Sequence, residues 1–418
     1  MVIILLYNMD TIDEEKVSDK KVLDIYNQII REFNTSKDKK EIIQILIDCC
    51  DNWENNEVYL LKKKLDIEFA LAVNCQYAYT FTPNNYGCDL REIIYNTDGT
   101  FVDDEKCQEL LNKFKEKKID DVWHIMTDID DTLYPNTEHG TYIAGSDNSW
   151  QQKTPYPGIQ KFYNSFYNTL QPSYQYSTVL SATPGMLKTS KLRNELLKTI
   201  LGKYSFIQGI ESKTTLLQHT GDIVSNLRKN YLSRSSDVSS DVSSDINNLF
   251  TLFGNLKFRR FQEYLTLFPE YKILFIGDNG QGDVLAGKQM VEYNENCHVF
   301  IHKVSRDGNT YIDKPNVEVN HERLHLFDNY YNLSKIFQTL GIFKEEHIQE
   351  IKSEFNNDVR RFNTFKLYKE IESTGGKKTH KNNRKNKYNK SNKYRKRKTK
   401  RIRKKRRNSI KKRVSFNV

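Results

Sequence analysis

The 418-residue chain has no apolar run long enough to cross a bilayer. Its opening, Met1 to Tyr7, is apolar but far too short for a span. It also lacks a basic leader and a small-residue cleavage site. Neither a membrane-spanning nor a secreted protein is therefore expected, and the opening reads as an edge strand or a buried terminus. Cysteine is sparse. Cys49, Cys50, Cys75, Cys88, Cys107 and Cys297 form no C-x-x-C pair and cannot frame a small disulfide scaffold. Reduced thiols in a cytoplasmic or nuclear compartment follow. Acids are missing from one region only. Lys377 to Arg413 holds 22 of the 65 Lys and Arg and no Asp or Glu, which leaves 43 basic against 54 acidic residues elsewhere, a net of −11. The overall +11 thus excludes a basic body: only the tail carries positive excess.

The first block, residues 1–118, reads as mostly helical and of unknown role. Val22, Ile25, Ile29 and Ile30 share one helical face, and Ile42, Ile43, Leu46 and Ile47 repeat that spacing. Residues 73–100 are aromatic and broken by Pro83 and Gly87, which suggests a few strands or a long loop; 104–118 is a charged helix. From about residue 120 the pattern alternates. Strands are expected at 122–127, 175–180, 204–209, 271–276 and 297–302. Helices are expected at 158–169, 185–200, 213–231 and 256–267. Such alternation predicts an α/β fold with a doubly wound parallel sheet, spanning 119–310. The acidic-serine repeat within 233–248 is expected to be a flexible insert. A C-terminal helical segment, 311–374, with its long helix at 343–371, closes the body. Gly375 and Gly376 form a hinge into a disordered basic tail, 375–418.

Chemistry concentrates at strand ends. Ile125 and Met126 run into Asp128, Asp130, Asp131 and Thr132. Two carboxylates two residues apart after a buried strand are costly unless something positive binds there. The spacing suits a divalent cation and a phosphoryl group, with Asp128 as nucleophile and metal ligand and Asp130 as acid and base beside it. The bland alternative is a turn or helix cap. Ser181, at the end of the second strand, can hold a phosphate oxygen or simply cap a helix. Lys257 opens a predicted helix, where it can neutralise a phosphoryl group or sit solvated. The strand Ile273 to Ile276 enters a glycine-rich loop that delivers Asp278 and Asp283 as further metal ligands.

These four elements, in this order, resemble the haloacid-dehalogenase superfamily of phosphatases. Residues 128–132, Tyr156-Pro157-Gly158-Ile159 before a helix, Ser181 with Pro184, and Phe268-Pro269-Glu270 leading into residues 277–283 resemble the catalytic domain of the actin-patch phosphatidate phosphatase family. The resemblance covers roughly residues 120–305. It implies a haloacid-dehalogenase-like Rossmannoid sheet, Mg²⁺ as the metal, and hydrolysis of a phosphomonoester, in that family phosphatidate. On this reading Asp128 forms an aspartyl phosphate and Asp130 moves the protons. Lys257 and Ser181 hold the phosphate oxygens, Thr132 fixes the loop, and Asp128, Asp130, Asp278 and Asp283 surround the metal. The alternative from another class is a catalytically idle phosphatase-like binding module tethered by its tail.

Other signals carry less. His321 and Glu322 with His325 spell H-E-x-x-H, but Arg323 places a charge where a metalloprotease helix carries none, so the segment reads as the start of a polar surface helix. The tail can bind nucleic acid, an anionic membrane or an import receptor; Tyr388 and Tyr394 are too few for base stacking to dominate. Arg413, Val414 and Phe416, around Ser415, resemble the docking motif read by type-one protein phosphatases. A lipid substrate would be met peripherally, at a membrane surface.

Overall fold

The computed structural model describes residues 7–36, 38–69, 89–96, 98–136, 147, 149–184, 191–210, 240–280, 282–306, 309–310 and 321–362. Residues up to 356 belong to one compact unit and those from 357 to a second, of which 357–362 are described as helical. Among the described residues, five helices lead the chain: α1 (Tyr7–Thr35), α2 (Lys39–Asn52), α3 (Asn55–Ile67), the short α4 (Leu90–Ile94) and α5 (Asp104–Glu116). The core motif then runs β1 (Val122–Thr127), α6 (Ile159–Tyr167), β2 (Ser177–Pro184), α7 (Lys191–Leu201) and β3 (Tyr204–Ile210). It continues through α8 (Ser240–Leu267), β4 (Tyr271–Asp278), α9 (Asp283–Tyr293) and β5 (His298–His302). A two-stranded ribbon, β6 (Ser305–Arg306) with β7 (Asn309–Thr310), precedes β8 (Leu324–Phe327) and α10 (Tyr330–Thr339). Residues 345–356 are helical and end the first unit.

The main sheet is wholly parallel, in the order β3-β2-β1-β4-β5-β8. Its central strands are buried on both faces, which is why they read as nearly continuous apolar runs. Successive residues alternate between two cores. Met126, Ile273, Phe275, Val299 and Ile301 face one that also holds residues of α1–α5 and α8–α9. Ile125, Leu274, Ile276 and Phe300 face the other, filled from α6, α7, α10 and Ile348 and Ile351. The N-terminal helices therefore share a core with the sheet.

Charge is also buried there. Lys62 of α3 donates to both oxygens of Glu270 at 2.9 and 3.1 Å, with both side chains almost fully enclosed. Arg91 and Arg260 converge on Glu263 at 2.6 and 2.8 Å. Under β1, His124 stacks on Tyr271 at 4.2 Å and shares a hydrogen bond with Thr178 at 2.8 Å; burial pushes its pKa down to about 3.

Several expectations change. α8 begins at Ser240, so residues 240–248 of the expected insert are helical; Phe250 and Phe253 give this stretch an apolar face to bury, and Lys257 lies inside the helix rather than at its start. H-E-x-x-H falls on no helix: residues 321–323 turn into β8, His321 Nδ1 accepts the Arg323 N–H at 3.2 Å, and His325 lies on the strand. Strand pairing with β5 outweighs the helical look of the charged residues. Within 73–100, residues 90–94 form a helix. The opening residues 1–6, most of the aromatic stretch, the helix expected at 213–231 and the tail lie outside the described residues.

Candidate active site and metal centre

Strand order reverses direction at β1, whose neighbours are β2 on one side and β4 on the other. A crevice at the carboxyl ends of β1 and β4 follows from this topology. Asp128 leaves β1 there, its N–H still donating to Ile276 O at 2.9 Å, and Asp278 ends β4 in the same crevice. Asp283, the first residue of α9, turns its carboxylate back so that Oδ2 accepts the Asp278 N–H at 3.1 Å. The three side chains present oxygens that lie within 4.8 Å of one another, and all three are buried.

Lys257 reaches this group from α8. Its Nζ lies 3.1 Å from Asp128 Oδ1 and donates to Asp283 Oδ1. Backbone contact seats the helix: a Cβ built on Gly254 would meet Gly282 O at 2.8 Å, so the loop before α9 tolerates nothing larger there. Gly282 itself has φ of 90°, a left-handed geometry that costs a residue with a Cβ.

With all three carboxylates ionised, the single ammonium would leave a buried surplus of two negative charges. Burial, with Asp283, Asp131 and Asp128 adding to it, holds the Asp278 carboxyl well above its usual range. Burial likewise pushes Asp283 up to about 7, with Asp128 adding to it against the opposing pull of Lys257. Burial alone would lower the Lys257 pKa, but Asp128 and Asp283 outweigh it, so the amine stays an ammonium. Asp128 Oδ2 and Asp278 Oδ2 have no hydrogen-bond partner although both are buried. Such orphaned anionic oxygens are costly. A divalent cation would satisfy both and cancel the surplus, and oxygen-only donors suit a hard ion such as Mg²⁺. The residues therefore fit a metal.

The Asp130 carboxylate is not one of the three whose oxygens converge. Its Oδ1 accepts the Asn136 side-chain amide at 2.8 Å. The reason is the turn: Asp131 adopts φ of 58°, a conformation that costs on the order of 1–3 kcal/mol outside glycine. It is held because its carboxylate accepts Asn136 N–H at 3.1 Å and Asp147 N–H at 3.0 Å, and its carbonyl accepts from His302 Nδ1 at 2.8 Å. Thr132 is buried in the same turn. Tyr330 donates to its carbonyl at 2.9 Å, and its Oγ1 has no partner. Ser181 is buried on β2, two residues beyond the Thr127–Val179 pairing that links β2 to β1.

Sequence reading missed Asn136, Asp147 and His302. Asp147 is fully buried and is held by Ser149 and the Tyr156 hydroxyl. Of these only His302 left a usable signal, a polar residue ending an apolar strand on the same side of the sheet as Asp278.

Comparison with protein-family models, with curated proteins and with solved structures gave no match. The fold and site define a doubly wound parallel α/β protein with a buried tri-acidic cluster able to chelate a divalent cation, an arrangement consistent with a hydrolase. Among the described residues no helix is long and apolar enough to cross a membrane.

Proposed function

We propose that this chain is a Mg²⁺-dependent phosphomonoester hydrolase with Asp128 as its nucleophile. The observation that carries the reading is the pair of orphaned oxygens, Asp128 Oδ2 and Asp278 Oδ2, beside the Lys257 ammonium at the strand-order reversal. Asp128, Asp278 and Asp283 would hold the metal. When bound, Mg²⁺ would neutralise charge on the transferring phosphoryl group and on the carboxylates around it.

The chain's own residues do the rest. Asp128 attacks phosphorus, forming an aspartyl phosphate as the ester oxygen leaves. Asp130, oriented by the Asn136 amide, gives that oxygen its proton and then takes one from the water that cleaves the intermediate. Lys257 offsets charge on the non-bridging oxygens, and the buried Ser181 and Thr132 hydroxyls offer donors to them. The resemblance of residues 128–132, 156–159 and 277–283 to the phosphatidate phosphatases makes a lipid phosphate the substrate we favour. The acid-free tail then serves as a tether to anionic membrane. Nucleic-acid binding by the tail, and type-one phosphatase docking through Arg413, Val414 and Phe416, are the competing uses of that segment.

Phosphate release by the full chain tests the reading, with a soluble phosphomonoester and with phosphatidate in vesicles. Release should require Mg²⁺, stop with EDTA and be absent from Asp128→Asn. No release from either substrate would leave the idle binding module as the better account.

A further inference from the structure

A cavity of about 320 Å³ opens at the other end of the molecule, between α1, α3 and the turn before β3. Val22, Leu23, Leu60 and Ile67 give it apolar walls, and Lys63 and Lys203 line it together. It sits where β2 and β3 begin, whereas the three-acid cluster lies where β1 and β4 end. A six-residue strand at about 3.3 Å per residue puts roughly 20 Å of sheet between the two levels. The cavity is therefore separate from the site above.

Lys63 is half-buried, with its ammonium against the Ser173 carbonyl and 5.6 Å from the centre of the Tyr176 ring. The charged groups around it are few. At the end of α3, Glu68 pairs with Lys64 at 2.6 Å; its charge favours the Lys63 ammonium while that of Lys64 opposes it. On α1, Asp19 lies at the exposed rim, and before β3 stands Lys203. Among the described residues, Lys63 thus has Lys203 lining the same cavity, apolar walls beside it, and the Ser173 carbonyl as its hydrogen-bond acceptor. A carbonyl accepts from an amine as well as from an ammonium, so the contact survives loss of the proton.

We infer that Lys63 is a nucleophilic amine, a modification site for small acyl donors that enter this cavity. Burial and the neighbouring Lys203 lower its pKa to about 8, so a useful fraction is free base near neutral pH. Desolvation and a second cation are the two devices that activate lysines elsewhere. With an acyl phosphate, the Lys63 Nζ lone pair attacks the carbonyl carbon. The C–O bond to phosphate breaks, the amide N–C bond forms, and the amine proton ends on the departing phosphate. Lys203 supplies attraction for the anionic reagent. No oxidant or further reactant is needed.

The test uses the full chain, limiting acetyl phosphate, and mass spectrometry of each lysine at pH 7.5. Lys63 should acetylate about tenfold or more faster than Lys40 and Lys118, which are exposed and lack its apolar surroundings. Lys203→Gln should slow Lys63 several-fold and leave Lys40 and Lys118 unchanged. A neutral acetyl ester should also select Lys63, which separates a poised amine from mere attraction of an anion. The inference is overturned if Lys63 acetylates no faster than the exposed lysines, if Lys203→Gln leaves its rate unaltered, or if the neutral ester shows no preference. None of these readouts depends on phosphatase activity.

Discussion

Strand β4 starts beside one buried group of charges and ends in another, and the two differ in how charge is matched. At its start Glu270 meets Lys62, one acid to one base, with both carboxylate oxygens bonded. At its end Asp278 joins Asp128 and Asp283 against Lys257 alone, and two oxygens have no partner. Both groups are equally dry, so burial does not tell them apart. Balance does. A matched pair fastens the N-terminal helices to the sheet, whereas an unmatched cluster is stable only when something else supplies the missing charge.

The comparison can be broken from either side. The largest effect is expected at the unmatched end: Asp128→Asn should abolish phosphate release. The same change removes one repelling carboxylate, so the metal-free variant should melt no lower than the wild type. At the matched end the outcome reverses. Lys62→Met strands Glu270 and should cost about 3–5 kcal/mol in denaturant unfolding. Turnover per folded molecule should not change, because Lys62 touches no part of the site. Adding Glu270→Gln to Lys62→Met should restore part of that loss. Gly254→Ala sharpens the boundary between the two ends. Its methyl meets Gly282 O, so on the order of 1–3 kcal/mol is lost to overpacking. Lys257, one turn along the helix, shifts with it, and turnover should fall roughly tenfold to a hundredfold.

The sequence disclosed the parts of this picture that burial writes into residue type. Strands β1 to β5 fall within a few residues of the expected ranges because two-faced burial demands unbroken apolar runs. Asp128, Asp278, Asp283 and Lys257 were visible because charge directly after such runs, or at a helix near them, needs a reason. β8 was hidden: its four residues include His325 and a half-exposed Leu326, and charged residues precede it, so no strand pattern forms. The true extent of α8 was hidden by its serine-rich first turns. The local geometry of Asp130 was also beyond reach, since it follows from a left-handed turn at Asp131 locked by Asn136, Asp147 and His302. No local pattern links those three positions.

The smallest effect bears most directly on the account. Thermal unfolding of the wild type should be followed as Mg²⁺ is added, at pH 6 and at pH 8, beside Asp278→Asn. A carboxyl raised to about 7, as at Asp283, binds a proton more tightly folded than unfolded. In the metal-free protein it therefore withdraws stability as pH climbs from its unfolded value near 3.9 toward 7. A metal needs that group ionised, so Mg²⁺ should raise the melting temperature more at pH 8 than at pH 6. Asp278→Asn should lose most of the rise. A wild-type melting temperature indifferent to Mg²⁺, or an equal rise in Asp278→Asn, would contradict the claim that this unmatched cluster is a metal centre.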